Sequence, residues 1–307
     1  MTSSPKSITI TAPAKVNLVL EILGIDSAGY HLLSTVFQAL SLHDELTFTS
    51  ASSTSLELVN NVSTGLKIEA DHNNLVIKAK LALEAYCQRE LPCHIHLIKN
   101  IPAGGGLGGG SADAAAALKG LNSLYDLHLS EKELLSIAAE LGADVSFGIM
   151  GGTALGSGRG EKLSSLPAIL PDHKVILLIP SRGLSTPQVY AHWDKMAPAK
   201  RSEAAGKAQQ LTELAQLSRS QNSELLALLS NDLQPAAFEL YPELAEIRQA
   251  MLQAGCLQAM LCGSGSTMFG LISPRTAAAQ IDNMQQKLSQ WGQVALTGFS
   301  DYRSRPQ

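Results

Sequence analysis

Six glycines, interrupted only by Leu107, fill positions 104 to 110 of the chain. His94 to Lys99 before them alternates like a strand, and Ser111 after them opens an alanine-dense stretch that reads as a helix ending near Tyr125. Glycines let backbone N–H groups turn toward one point, and a helix N-terminus adds partial positive charge. A strand, glycine loop and helix in that order form a phosphate cradle, and a flexible linker is not expected between two regular elements. Three familiar cradles do not fit. Gly104, Gly106 and Gly109 satisfy G-x-G-x-x-G, yet Pro102 breaks the strand-to-glycine junction and no acidic residue ends a second strand at the dinucleotide-binding distance. Ser111 and Ala112 stand where a Walker loop needs Lys and Ser or Thr. The V-A-I-K and H-R-D segments of protein kinases are missing.

At 307 residues the chain exceeds what one hydrophobic core usually organises, so two domains are expected, 1–171 and 172–307. The first is rich in strands. Val16, Leu18, Leu20 and Ile22 alternate with Lys15, Asn17 and Val19, and further strands are expected at 45–50 and 55–60. Asn73 and Asn74 can cap a helix through Leu75, Ala79, Leu83 and Tyr86. Ser130 and Glu133 form a capping box for another helix, which Gly142 stops, so Asp144 is expected just beyond a helix C-terminus. After Pro167 and Pro171, strands at 175–179, 257–261, 267–272 and 294–299 alternate with helices in the order β, α, β, β, α, β, a ferredoxin-like split unit. The stretch 198–223 reads as a mobile excursion or a surface helix.

Hydrophobic residues at 45% and charged residues at 16% suit packed cores. The net charge of −4, with no Lys/Arg run, makes nucleic acid an unexpected partner, and an anionic ligand would have to be met by local cations. Cys87, Cys93, Cys256 and Cys262 form no CxxC pair and are expected as reduced thiols. No apolar run reaches the ~20 residues of a membrane helix, so no membrane partner and a cytoplasmic location are expected, with the chain a monomer or weak homodimer. His94 and His96 share a strand face but have no third metal ligand nearby in sequence.

The segment Pro102 to Ser111 resembles the P-x-G-x-G-L-G-S/G-S-S/A motif of the galactokinase, homoserine kinase and mevalonate kinase (GHMP) family. Pro13-Ala14-Lys15-Val16-Asn17-Leu18 resembles its first motif and Gly263-Ser264-Gly265-Ser266-Thr267 its third, in the same order. Ser266 stands where the family usually has Pro, and Ser146, after Asp144-Val145, stands where one branch of the family usually has Pro. The resemblance implies an α+β two-domain fold, with an N-terminal domain like ribosomal protein S5 domain 2 and a C-terminal ferredoxin-like α/β sandwich. It implies ATP and Mg²⁺, with Asp144 as base and Lys15 holding that carboxylate near the γ-phosphate. ATP is then expected at Asn74, Leu75, Lys99, Pro102, Ala103, Gly104, Gly105, Gly106, Leu107, Gly108, Gly109, Gly110 and Ser111. There is no dedicated protein metal site, Ser111 being the candidate oxygen for Mg²⁺.

Gly29-Tyr30-His31, Asp71 to Val76 and Leu141 to Val145 resemble the branch of the family whose alcohol substrate carries a cytidine. That implies substrate contacts at Asn17, Tyr30, His31 and Tyr190; on its own residues, Tyr190 could equally be a core aromatic of its helix. Glu161 is left between a substrate contact and a hairpin end. Two alternatives stand beside this one: another small-molecule kinase of the family, and a non-catalytic ligand sensor of the same fold, which would not need both Lys15 and Asp144.

Overall fold

The structure is a computed structural model and describes residues 5–62, 69–196, 206–216 and 222–301. Two long antiparallel strands, β1 (Ser7–Ile25) and β2 (His31–Ser50), form its spine. Alternation in β1 is broken by irregularities at Pro13/Lys15, Asn17/Val19 and Ile22/Gly24. The run from Ala14 to Glu21 is buried throughout, because elements cover both faces of the sheet there. Strand β3 (Ser55–Asn60) runs parallel to β4 (Cys93–Lys99), and β4 pairs with β2.

Helices α1 (Leu75–Cys87), α2 (Gly109–Leu124) and α3 (Glu131–Leu141) pack on one face of this sheet. The Asn74 side chain caps α1 through the Val76 N–H, and Ser130 with Glu133 makes the capping box of α3. Small side chains let α2 lie close: a Cβ at Gly120 would come within 2.4 Å of the Phe48 ring. Helix α2 begins at Gly109, two residues earlier than Ser111, so the end of the glycine run is itself the first helical turn.

A helix the sequence pattern does not announce, α4 (Ala143–Met150), starts directly after Gly142. It crosses α2 so tightly that a Cβ on Gly148 would stand 2.6 Å from the Ala115 Cβ. Asp144 is therefore just beyond the C-terminus of α3, as expected, and at the same time in the first turn of α4. Ser146, fully buried within α4, donates its N–H to Gly142, a bond a proline could not make. Strands β5 (Thr153–Ser157) and β6 (Lys162–Leu166) add a hairpin to β2, with Glu161 in its turn, in keeping with the hairpin reading of that residue.

The second sheet has the order β11-β7-β10-β9, all antiparallel, from β7 (Lys174–Ile179), β9 (Gln258–Leu261), β10 (Met268–Ile272) and β11 (Gln293–Gly298). Its first crossover carries α5 (Thr186–Lys195), α6 (Lys207–Gln216), α7 (Asn222–Leu228), β8 (Ser230–Asn231), α8 (Gln234–Leu240) and α9 (Glu243–Ala254). Its second carries α10 (Ala278–Leu288). This is the ferredoxin-like order read from the sequence, with α8 added.

Of the stretch 198–223, residues 198–205 and 217–221 lie outside the described residues, and 207–216 form α6. The carboxylate of Glu21, buried in β1, accepts the N–H groups of Lys207 and Ala208 at 2.8 and 3.2 Å and so caps α6. Strand β8 does not join the second sheet; it pairs in parallel with Val19 and Leu20 of β1. Val16 and Leu18 of the first sheet share a core with Leu177 and Phe269 of the second.

Candidate active site

The glycine loop is held from two sides. The Lys15 N–H donates to Leu107 O at 2.9 Å, tying the loop to β1, and the Thr267 N–H donates to Gly105 O at 3.3 Å, tying it to the turn before β10. Gly106 and Gly108, with φ of +80° and +71°, occupy the left-handed region that other L-residues resist. Ser266 is buried and its hydroxyl donates to Arg182 O at 2.7 Å, so a hydrogen bond restrains this turn where a proline ring is usual.

A cavity of about 480 Å³ opens over the loop, lined by Pro102 to Ser111 and by Asn73, Asn74, Leu75, Lys99 and Asp113. Gly108 caps α2 without a side chain, so the first-turn N–H groups of α2 have no protein acceptor at that cap. They border the cavity at Gly109, Gly110 and Ser111. A phosphate group fits that chemistry. All the residues expected at ATP thus line one cavity. Lys99, however, is buried, and its ammonium is engaged by Asp44 and, at 2.5 Å, by Asp113. Burial works against its charge, but Asp113 and Asp44 outweigh that and hold its pKa above the ordinary value. Lys99 is a neutralised cation at the cavity wall rather than a free one. Asp44 also accepts the N–H groups of Asn100 and Ile101, at 2.5 and 2.8 Å, which fixes the chain entering the loop. Nothing in the local sequence signals Asp44 or Asp113, because their common partner is remote in sequence from one and on another element from both.

A second, smaller cavity of about 160 Å³ shares Gly106 and Gly108 with the first. Lys15, Asn17, Thr35, Asp144, Arg159 and Tyr190 are among its lining residues. The Lys15 Nζ is 3.3 Å from Asp144 Oδ2 and donates to Asn17 Oδ1 at 2.9 Å. Asn17 Nδ2 donates to Thr35 Oγ1 at 2.8 Å, and the Thr35 hydroxyl donates to Val19 O at 2.6 Å. This relay fixes the Asn17 amide so that its oxygen faces the ammonium. The Lys15 side chain is 8% exposed and that of Asp144 34%, so the lysine is the wall and the carboxylate is the group a ligand can reach. A Cβ on Gly108 would meet the Lys15 stem at 3.0 Å and Asp144 Oδ2 at 3.6 Å, which puts the pair where the two cavities join.

Of the residues expected at the substrate, Asn17 and Tyr190 line this cavity, whereas Tyr30 and His31 are not in its lining and lie against Arg159 and Tyr190, which are. The His31 ring lies 4.6 Å from that of Tyr190, and His31 Nε2 is 2.8 Å from Asp194 Oδ1 on α5. Burial, with the Asp144 charge nearby, pushes the Tyr190 phenol far above its ordinary pKa, so it is a neutral donor. Tyr30 is 57% exposed, with the Arg159 guanidinium 3.8 Å above its ring. Glu161 accepts the Arg159 N–H at 2.7 Å and so closes the β5–β6 turn. Among the described residues no three His, Cys, Asp or Glu side chains cluster to hold a metal, and no helix is long and apolar enough to cross a membrane.

This pairing of a phosphate cradle with a lysine–aspartate pair defines a small-molecule phosphotransferase, and the comparisons agree. The GHMP kinases N terminal domain model matches residues 74–153 and the GHMP kinases C terminal model residues 207–290. The chain belongs to the GHMP kinases. It is similar to the 4-diphosphocytidyl-2-C-methyl-D-erythritol kinase of Mycolicibacterium smegmatis, 40% identical over 90% of this chain and 84% of that one. The enzyme of the same name from Moorella thermoacetica is 40% identical over 91% and 95%. A crystal structure of 4-(cytidine 5'-diphospho)-2C-methyl-D-erythritol kinase superposes with a TM-score of 0.75 at 30% identity, covering 95% of this chain and 99% of that one. A homoserine kinase from Cytophaga hutchinsonii, at 20% identity and TM-score 0.74, shares the fold.

Proposed function

We propose that this kinase transfers the γ-phosphoryl group of ATP to the 2-hydroxyl of 4-diphosphocytidyl-2-C-methyl-D-erythritol, giving the 2-phosphate and ADP, a step of the non-mevalonate (methylerythritol phosphate) route to isoprenoid precursors. The observation that carries the chemistry is the position of Lys15 and Asp144 at the junction of the two cavities. The glycine loop and the first turn of α2 hold the nucleotide phosphates in one cavity, and the second receives the alcohol, with Tyr190 in its lining and His31 and Tyr30 beside it for the pyrimidine. Asp144 accepts the proton of the hydroxyl as its oxygen attacks phosphorus. Lys15 holds the carboxylate in place and sets positive charge beside the phosphoryl group as its bond to ADP breaks.

Magnesium, when bound, neutralises the phosphate charge; Ser111 at the cavity edge is the protein oxygen suited to it. The chain divides functionally at 171/172, and the protein acts in the cytoplasm as a monomer or weak homodimer, without nucleic acid or membrane partners. The test is an ADP-release assay over candidate alcohols: the diphosphocytidyl substrate turns over while mevalonate and homoserine are inert. Brisk turnover of either of those two would overturn the substrate assignment and leave the family intact.

A further inference from the structure

The substrate named above brings a diphosphate to a chain whose net charge is −4, so a local cation has to meet it. Among the described residues lining the acceptor cavity, the cations are Lys15 and Arg159. Lys15 is committed to Asn17 and Asp144 at the reacting end. Arg159, in the turn between β5 and β6, is held differently. Its Nε and Nη2 both donate to Asp26 Oδ2, at 2.9 and 2.7 Å, and its Cζ lies over Tyr30, 3.8 Å from the ring centroid.

Asp26 is itself fixed, because its other oxygen accepts the N–H groups of Ala28 and Tyr30, each at 2.9 Å. The Arg159 backbone is anchored too: its own N–H goes to Glu161 Oε2, and the neighbouring Gly158 carbonyl accepts the Leu33 N–H at 2.7 Å. The guanidinium is therefore pinned at one edge and one face. Its Nη1 donors make no hydrogen bond to any described residue, and the side chain is half-exposed. A fork oriented before the ligand arrives loses little side-chain freedom on binding, and planar two-donor geometry suits phosphate oxygens. The position is also right, since Arg159 touches Tyr30, a residue expected at the pyrimidine, and borders the same cavity as Asp144.

We propose that Arg159 is the diphosphate-binding residue of the acceptor cavity, bridging the pyrimidine end and the hydroxyl that Asp144 deprotonates. The inference rests on the substrate proposed above. The experiment separates the two by comparing CDP with cytidine, which differ by the diphosphate alone, in titrations of wild type, Arg159→Gln and Arg159→Lys. Arg159→Gln should lose about 10- to 100-fold in CDP affinity, as expected for charge-assisted hydrogen bonds, while cytidine affinity stays within about 2-fold. Arg159→Lys should fall between, because an ammonium keeps the charge without the fork. Affinity for a non-hydrolysable ATP analogue should be unchanged; should Gln disturb it, the CDP-to-cytidine ratio of the Lys variant decides. Equal losses for CDP and cytidine, or no loss for CDP, would overturn the assignment of Arg159. A wild-type protein that binds neither compound would instead overturn the substrate itself.

Discussion

Gly106 and Cys262 meet backbone to backbone: a Cβ on Gly106 would stand 1.9 Å from the Cys262 carbonyl oxygen. That oxygen cannot swing aside, because it also accepts the Gly265 N–H at 2.8 Å. Gly106→Ala should therefore push the glycine loop off the turn before β10, adding left-handed backbone strain to a backbone clash. The expected outcome is a thermal midpoint lower by several degrees, at about 2–4 °C per kcal/mol for domains of this size. A weaker affinity for an ATP analogue should accompany it. Scanning calorimetry and a nucleotide titration check both.

Asp144→Asn keeps the size of the side chain and loses the proton acceptor. Turnover should fall by roughly 10² to 10⁴, the range for a well-placed base, with the affinity for an ATP analogue within a few-fold of wild type. Steady-state kinetics beside a nucleotide titration give both numbers. Wild-type turnover in the variant would move the base elsewhere.

His31→Ala removes a ring that touches Tyr190 and is held by Asp194. Its loss should weaken binding of the diphosphocytidyl substrate by about 1–3 kcal/mol, the cost of a buried hydrogen bond, and raise KM more than it lowers kcat. Binding of an ATP analogue should hardly change. A collapse of analogue affinity with substrate binding intact would put His31 on the nucleotide side.

Two carboxylates, Asp44 and Asp113, share the Lys99 ammonium. Burial pushes the Asp113 carboxyl up to about 8; Lys99 opposes the rise and Asp44 adds to it. The ordinary value is 3.8, so between these limits the folded chain keeps a proton that the unfolded chain releases. This contribution to stability is full below the lower value and is lost as pH rises through the upper one. Asp113→Asn, which cannot titrate, should flatten the fall in thermal midpoint over that window. Parallel slopes for variant and wild type would show that the proton is held elsewhere.

What the sequence made legible was local. The glycine run, the capping pairs at Asn74 and Ser130, and the β-α-β-β-α-β order all depend on neighbours within a few residues, and each stands in the structure. What escaped was made by distant partners. Glu21 looks like an outward-facing strand residue until Lys207 and Ala208 bring their N–H groups to it. Asp26 and Arg159 are unremarkable until the β5–β6 hairpin folds back on the β1–β2 turn. Helix α4 escaped because Gly142, a stop signal for α3, also begins the next helix. Lys15, Asn17, Asp144 and Tyr190 were named from motifs, but that they line one cavity is a property of the folded chain.

Strand β8 gives the fold an order in time as well as in space. As the chain leaves the ribosome β1 precedes β2, which can pair with it at once. The other edge of β1, at Val19 and Leu20, waits for Ser230 and Asn231, and Glu21 beside it waits for residues 207 and 208. A nascent chain halted before residue 207 would carry an open strand edge on β1 and, next to it, a carboxylate without its helix, which makes it a client for chaperones until the second half has emerged.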